Sequence, residues 1–455
     1  MEDPDKPPGE AIVTRRTWYR IAASLLSMAA MGSSAHAADN AAIPVPGGAP
    51  ATVTWTVDQV ADIAVRNHPF VHQSDAESAA AAARKGQAQA GWYPIVNLST
   101  GYARTRSFSP SSRNLSGQGG RSFTIPNEFL RGDLSWVLYD FGRTGASVDR
   151  ADALAAISRE NAATTREDVV FIAKVAFYNV LRAENTLEFQ RKNVGQRESL
   201  LRQAQAFYEA GVRAKIDFVR AEADLYDSRA LLGQAQNELR VARITLLQRM
   251  GVDGPAGFQL HGELFEGKME GALEDWVAEA QRDRPEIRAL LEKERSAVES
   301  LRLANADYMP FLVGGAGFGY EADEFPLQEN YAASVTLNYP LFSGFQTREQ
   351  VKEARATLSS VRYEIIEARR RVRLEVERSA YGVQEARERL AAREKQREAS
   401  EENLRLATAR YEVGAGDIIE MTDAQTQMVS ADTETVNTSF DYAVTRASLL
   451  RAVGR

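Results

Sequence analysis

Tyr208-Glu209-Ala210-Gly211 is answered by Tyr411-Glu412-Val413-Gly414, 203 residues later. The same offset pairs Leu138 with Leu341, Val180 with Val383, Leu187 with Leu390, Leu201 with Leu404, Leu246 with Leu449 and Gly251 with Gly454. An offset held without a gap over more than 100 residues makes the chain a tandem repeat. Upstream the match continues at a spacing of 216, Pro69 being answered by Pro285 and Pro94 by Pro310. The difference puts 13 additional residues between Pro94 and Leu138. They fall in Phe108 to Asn127, which is rich in Ser, Gly and Arg and reads as a long exposed loop. The counterpart loop, Glu321 to Glu329, is short and acidic.

Each copy has the order helix, two short strands, very long helix, turn, helix. No proline occurs from Thr144 to Tyr208 or from Thr347 to Tyr411. Apolar residues recur every seven at Val180, Leu187, Val194, Leu201 and Tyr208; the second copy keeps Val383, Leu390, Leu404 and Tyr411 but has Arg397 at the position of Val194. Sixty-odd residues at ~1.5 Å each give a rod of about 100 Å, too long for a compact domain, so these are coiled-coil helices. The following helix repeats the spacing at Phe218, Leu225, Leu232, Leu239 and Leu246, and Ala176, Ala183 and Ala204 leave room for close helix approach. These stripes are core and carry no chemistry.

The strand segments follow a different period. Val96, Leu98, Thr100 and Tyr102 alternate with Asn97, Ser99 and Gly101; Leu134, Trp136 and Leu138 alternate with Asp133, Ser135 and Val137. In the second copy Val335, Leu337, Tyr339 and Leu341 alternate with Ser334, Thr336, Asn338 and Pro340. Segments of about ten residues with one apolar and one polar face suit a membrane β-barrel, lipid outside and water inside. Trp92, Tyr93, Trp136, Tyr139 and Phe141, then Tyr308, Phe311, Tyr331, Tyr339 and Phe342, suit its interfacial girdles. A water-soluble antiparallel sheet with one buried face is the competing reading.

Arg15, Arg16 and Arg20 precede the apolar stretch Ile21 to Met31, and Ala35-His36-Ala37 supplies a small-residue cleavage site, so residues 1–37 read as a secretory signal peptide. The general secretory route is favoured over the twin-arginine one. The 55 basic and 62 acidic residues give a net charge of -7, and the four acids and four bases of residues 1–37 leave all of it on the exported part. That balance argues against a nucleic-acid partner. With no cysteine, disulfides, thiolate metal sites, a cysteine nucleophile and a lipidated N-terminal cysteine are excluded. No later run of about 18 apolar residues exists, so a bilayer would have to be crossed by strands. Four strands cannot close a barrel, and an open edge in hydrocarbon leaves backbone groups unpaired at several kcal/mol each. Several chains must therefore share one barrel.

On these features the sequence resembles the TolC-like outer-membrane channel family. The resemblance rests on the tandem halves, the Asn67-His68-Pro69 and Arg284-Pro285-Glu286 helix segments, Tyr93-Pro94 and Met309-Pro310 leading into strands, Leu138-Tyr139-Asp140-Phe141-Gly142 leading out, and both Tyr-Glu-x-Gly turns. It implies a homotrimer with a 12-stranded β-barrel in outer-membrane lipid, four strands per chain, continued by an α-helical coiled-coil barrel across the periplasm. It also implies a periplasmic adaptor (membrane fusion protein) and an inner-membrane pump of RND or ABC type, with neither catalysis nor a cofactor in the channel itself.

In such a channel the rod tips lie farthest from the membrane, making Tyr208, Gly211, Tyr411 and Gly414 candidates for adaptor docking. Glycine just past a helix end is also an ordinary C-cap, and the two roles are compatible. The family's two acids at the tunnel mouth match Glu420 and Asp423, which would also offset a helix dipole. Repeated three times they would make a cation-attracting mouth. The family's basic latch residue is absent: Gly416 stands there, Arg213 occupies the first-half equivalent, and the first-half acid is Asp217. A latch from Arg213 to an acid of the second half is the resulting expectation.

Other signals carry less. Gly317-Phe318-Gly319 lies in a strand instead of opening a helix and is no dinucleotide loop; the alternating Gly315, Gly317 and Gly319 leave space on one strand face. His68 and His72 lack a carboxylate to complete a zinc motif and read as solvated. Arg369 to Arg371 reads as an exposed coiled-coil stretch, and no P-loop, serine elbow or metalloprotease motif occurs. The expected organisation is a signal peptide over 1–37, a linker over 38–55, a first helix over 56–94, strands over 95–141 with a loop over 108–127, and long and return helices over 142–251. An equatorial segment over 252–271 follows, then a helix over 272–310, strands over 311–342 and helices over 343–455, with no C-terminal extension. The expected function is the passive duct of a tripartite small-molecule efflux system. The outer-membrane component of a type I protein secretion system is the alternative within the class, and a soluble periplasmic coiled-coil scaffold or adaptor the alternative outside it.

Overall fold

The computed structural model describes residues 54–109, 121–254, 257–262, 271–322 and 328–455. The signal peptide, most of the linker, loop residues 110–120, part of the equatorial segment and residues 323–327 lie outside that set.

The first copy runs β1 (Thr54–Trp55), α1 (Val57–Asn67), α2 (Pro69–Gln89), a 3₁₀ turn (Ala90–Trp92), β2 (Ile95–Ser109), β3 (Arg121–Tyr139), α3 (Arg143–Glu209) and α4 (Lys215–Met250). After β4 (Gln259–Leu260) the second copy runs α5 (Leu273–Asp283), α6 (Pro285–Ala306), β5 (Phe311–Ala322), β6 (Gln328–Asn338), α7 (Gln346–Glu412) and α8 (Ile418–Val453). Both ends of α7 and α8 lie 203 residues beyond the corresponding ends of α3 and α4.

The single first helix expected in each copy is two helices. The residue before a proline is driven out of the α region by the pyrrolidine ring, and both His68 (φ -69°, ψ 127°) and Arg284 (φ -62°, ψ 130°) are extended. Thr56 and Gln59 form a capping box that starts α1. His68 is not a solvated histidine: it is half-buried, its Nδ1 accepts from Phe70 N at 3.2 Å, and burial, with the Arg249 charge second, lowers its pKa.

Each return helix ends on a left-handed glycine, Gly251 (φ 67°) or Gly454 (φ 90°). A Cβ on Gly251 would sit 2.6 Å from the Asn67 carbonyl oxygen and 2.8 Å from His68 Cα, against the proline break of its own copy. A Cβ on Gly454 would meet Arg284 Cγ at 3.4 Å, an ordinary contact. Gly251→Ala is therefore expected to cost about 3 kcal/mol, and Gly454→Ala about 1 kcal/mol, the left-handed penalty alone. Thermal unfolding in detergent checks the ranking; equal losses would show that backbone conformation is the whole effect.

By its contacts the chain divides into two units. One comprises residues 85–150 and 298–356, and its described part holds the antiparallel sheet β2-β3-β5-β6. The strands, of 15, 19, 12 and 11 residues, are longer than the short strands expected. β2 and β3 run on through 108–109 and 121–127, so the loop expected over 108–127 is shorter. The register sets Val96 against Leu134 and Ala316, Leu98 against Gly132 and Phe318, and these against Ala333 and Tyr331. One face is apolar, with Val96, Leu98, Tyr102, Leu134, Trp136, Phe318, Tyr331, Val335 and Leu337. The other is polar, with Asn97, Ser99, Arg131, Asp133, Ser135, Asn330, Ser334 and Thr336.

The second unit, residues 48–84, 151–297 and 357–455, holds most of the helices. Cross-helix ion pairs and hydrogen bonds give a layer ordered α4-α3-α8-α7: Arg243–Glu184 and Arg197–Asp224 join α3 to α4, Arg197–Thr426 joins α3 to α8, and Arg389–Asp441 and Arg397–Asp432 join α7 to α8. Ala176, Ala183, Gln190, Arg197 and Ala204, seven apart, are all buried on α3, so the alanines pack as their size implies. The expected apolar stripe departs from the core along the helix: Val180 and Leu187 are buried, Val194 and Leu201 half-buried, Tyr208 exposed. Beside the α1–α2 break, β1 pairs in parallel with β4 and Trp55 stacks on Phe258.

Candidate functional site

The two turns that join long helix to return helix have one geometry. Val212 N and Arg213 N both donate to Phe207 O, at 2.9 and 3.3 Å; Ala415 N and Gly416 N both donate to Arg410 O, each at 2.9 Å. Gly211 (φ 72°) and Gly414 (φ 77°) supply the left-handed residue, and no atom lies within 4 Å of a Cβ added to either. Backbone conformation alone therefore accounts for glycine at these positions.

The side chains break the symmetry. Tyr208 is 42% exposed and stacks on Phe218, whereas Tyr411 is fully buried among Leu200, Ala204, Ala221, Ile418 and Met421. Arg213 reaches across from the first turn to the second: its Nη2 donates to Gly416 O at 2.8 Å, and its guanidinium lies 5.3 Å from the Tyr411 ring centroid. The expected partner of Arg213 was an acid; within the chain it is a backbone carbonyl. Burial, then the Asp217 carboxylate, pushes the Tyr411 hydroxyl up, with Arg213 opposing, and this hydroxyl has no hydrogen-bond partner among the described residues. A Cβ on Gly416 would lie 3.1 Å from Arg410 Cβ and 3.3 Å from Glu420 Oε2. A side chain at 416 would need these neighbours to give way by a few tenths of an ångström.

Asp417 caps α8, accepting from Ile419 N and from Glu420 N. Glu420 pairs with Arg410 at 3.3 Å, and Asp423 is exposed one turn further on. Both carboxylates remain open to solvent.

Two polar groupings escaped the sequence reading. In the first, Arg197 is buried between helices, donating to Asp224 at 2.9 Å and to Thr426 at 3.1 Å; beside it Gln425 donates to Gln196 at 3.2 Å. The second surrounds Arg284, 5% exposed, which donates to Glu286 at 3.1 Å and also pairs with Glu375. Glu167 lies in the field of these groups; burial, then the Glu286 carboxylate, pushes its pKa up to about 7. The signal available was spacing: Gln190, Asn193 and Arg197 recur at three and four on a helix face that elsewhere carries Ala and Leu.

The sheet's apolar face has no covering layer among the described residues. Val96 (69%), Leu98 (60%), Tyr331 (79%), Val335 (68%) and Leu337 (64%) are exposed, which a water-soluble sheet would not tolerate as a contiguous patch. Near the helix-side ends of the strands, Trp92, Tyr93, Trp136, Tyr139, Tyr339 and Phe342 are exposed as well, Trp136 donating through Nε1 to Trp92 O at 3.0 Å. Among the described residues no helix is long and apolar enough to cross a membrane.

Known proteins agree with this geometry. The chain is 27% identical over 471 aligned positions to protein CyaE of Bordetella pertussis, covering 98% of this chain and 97% of that one. It is 23% identical over 370 to the outer membrane protein TolC of Vibrio cholerae, covering 79% and 82%. Among solved structures it is similar in fold to the outer-membrane channel OprN, with a TM-score of 0.76 at 18% identity, covering 88% of this chain and 89% of that one. The family model described as outer membrane efflux protein matches residues 60–252 and 276–455. With both repeats matched, the chain belongs to the outer membrane efflux protein family, the TolC-like channels.

Proposed function

We propose that the protein is the outer-membrane duct of a tripartite export system, assembled as a homotrimer and passing small molecules received from a periplasmic adaptor and an inner-membrane pump. The observation that carries this reading is the uncovered apolar sheet face together with its two open edges. β2 and β6 each pair with one strand only among the described residues, and unpaired backbone in hydrocarbon is costly enough that the edges must meet other copies. Three copies of four strands give the 12-stranded barrel of the resemblance.

The helices support the same assembly. α4 and α7 end the helical layer and carry exposed apolar groups: Ile216, Val219, Tyr226 and Ile244 on one, Tyr363, Leu374 and Tyr381 on the other. Different faces at the two ends call for a head-to-tail interface, which closes into a ring. In that ring the turns bearing Tyr208, Gly211, Tyr411 and Gly414 dock the adaptor. Glu420 and Asp423 form the acidic gate, and Arg213, with Asp217 near the Tyr411 hydroxyl, forms the latch. Residues 1–37 act as the export signal.

Purification in detergent and insertion into planar bilayers tests the channel: a trimer that conducts is the expected result, and a detergent-independent, non-conducting monomer would refute it. Deletion of the gene with complementation tests the cargo. Heightened sensitivity to small toxic compounds is expected; loss of a secreted protein with unchanged sensitivity would instead establish the type I secretion role.

A further inference from the structure

Gly315, Gly317 and Gly319 lie on the polar face of β5, opposite Ser135, Asp133 and Arg131 of β3. The space beside them is taken by neighbouring side chains at Gly315 and Gly317 and by the backbone of β3 at Gly319. A Cβ on Gly317 would lie 3.2 Å from Asp133 Oδ1, one on Gly315 3.0 Å from Ser334 Oγ, and one on Gly319 2.9 Å from Arg131 Cα. The result is a shallow cleft of about 310 Å³ floored by Gly315 and Gly317 and walled by Arg131, Asp133, Asn330 and Ser334.

The charges in this cleft do not cancel. Arg131 Nη2 pairs with Glu321 Oε2 at 3.3 Å, and Asn330 Nδ2 also donates to Glu321 Oε2, at 3.4 Å. Asp133 has no ion pair among the described residues. The remaining described side chains of this face, among them Asn97, Ser99, Ser135, Gln328, Ser334, Thr336 and Asn338, are uncharged. The described part of the polar face therefore carries one uncompensated carboxylate per chain, with space left beside it by Gly315 and Gly317.

We propose that Asp133 is a selectivity-determining residue, a ring of three carboxylates on the strand-built wall of the bore that draws small cations and repels small anions. This rests on the channel reading above, in which the polar face meets water. Threefold symmetry places the three carboxylates at one level, where their potentials add in a bore walled by low-dielectric material.

The test is the reversal potential of the reconstituted full chain under a potassium chloride gradient. Wild type is expected to prefer potassium to chloride, and Asp133→Asn to lower the permeability ratio about threefold, the effect of one charge at a separation of about 7 Å in water. Asp133→Glu is expected to retain the wild-type ratio, and Arg131→Gln, which removes a positive charge from this face, to raise it. A trimeric, conducting Asp133→Asn variant with the wild-type ratio would overturn the inference and leave selectivity to the acids at Glu420 and Asp423. A wild-type chain that does not conduct would overturn the channel reading itself.

Discussion

Arg213→Ala is expected to raise single-channel conductance several-fold. Arg213 is the side chain that fastens the first helical turn to the second, through a charged hydrogen bond to Gly416 O and its position over the Tyr411 ring. A hydrogen bond from a charged donor contributes ~1.5–3 kcal/mol and a partly buried cation–π contact ~0.5–2 kcal/mol. In the proposed trimer, two turns held with ~2–5 kcal/mol in each chain would resist separation enough to keep the mouth of the duct narrow in most of the population. Glu420→Gln is the matched comparison. The Glu420–Arg410 pair is exposed on both sides, and such pairs contribute ~0–1 kcal/mol, so its removal should alter selectivity more than aperture. Arg213→Lys should fall between wild type and alanine, keeping the charge while losing the guanidinium's planar fit on the ring. Equal conductance in wild type and Arg213→Ala would eliminate the clamp.

Where the sequence was legible, one strong periodicity had no competitor. The 203-residue offset returned both ends of both helix pairs because unbroken helices have no place to end except at the shared turn chemistry, Gly211 and Gly414 on one side and Gly251 and Gly454 on the other. Alternation of period two gave the two sheet faces as well, since a strand with one face in water and one in oil must write that fact into its residues. The places it failed are those where a long-range contact chose between equivalent local options. Tyr208 and Tyr411 hold equivalent positions in the repeat, yet one is exposed and the other is buried, with the Arg213 guanidinium against its ring. Gln190 and Arg197 continue the alanine seam of α3 but are polar, so a search for apolar repeats passed them over. Arg284, flanked by proline, looked like helix punctuation; its guanidinium proves to be buried among carboxylates from other helices.

That placement makes Arg284→Met costly, by about 2–3 kcal/mol at pH 8: a buried guanidinium loses its charged hydrogen bonds, while Glu286 and Glu375, 37% and 53% exposed, are partly relieved by water. Arg284 is the cation that Glu286 and Glu375 share. Around it Glu167 and Asp168 of α3 face Glu286 of α6 and Arg451 of α8, while Arg371 of α7 lines the same cleft as Glu286 and Arg166 is committed to Asp75 of α2. Burial first, then the Glu286 carboxylate, makes Glu167 hold a proton up to about pH 7, against about 4.5 for a free glutamate. A carboxyl raised in the folded state binds more protons there than when unfolded, so its contribution is favourable at low pH and is lost as pH climbs from about 5 through 7. The full difference would be ~3 kcal/mol, and partial exposure of Glu167 reduces it to ~1–2 kcal/mol. Glu167→Gln should therefore match wild type near pH 5 and exceed it at pH 8. Removing Arg284 takes away a charge that holds the Glu167 pKa down, so the Arg284→Met defect should shrink near pH 5, where protonation relieves the repulsion, and Glu167→Gln should rescue part of it at pH 8. Unfolding temperatures in detergent for the wild type, both single variants and the double variant, at pH 5 and pH 8, decide the matter. An Arg284→Met defect of the same size at both pH values, or a Glu167→Gln curve parallel to wild type, would show that the cluster is a fixed scaffold without proton linkage.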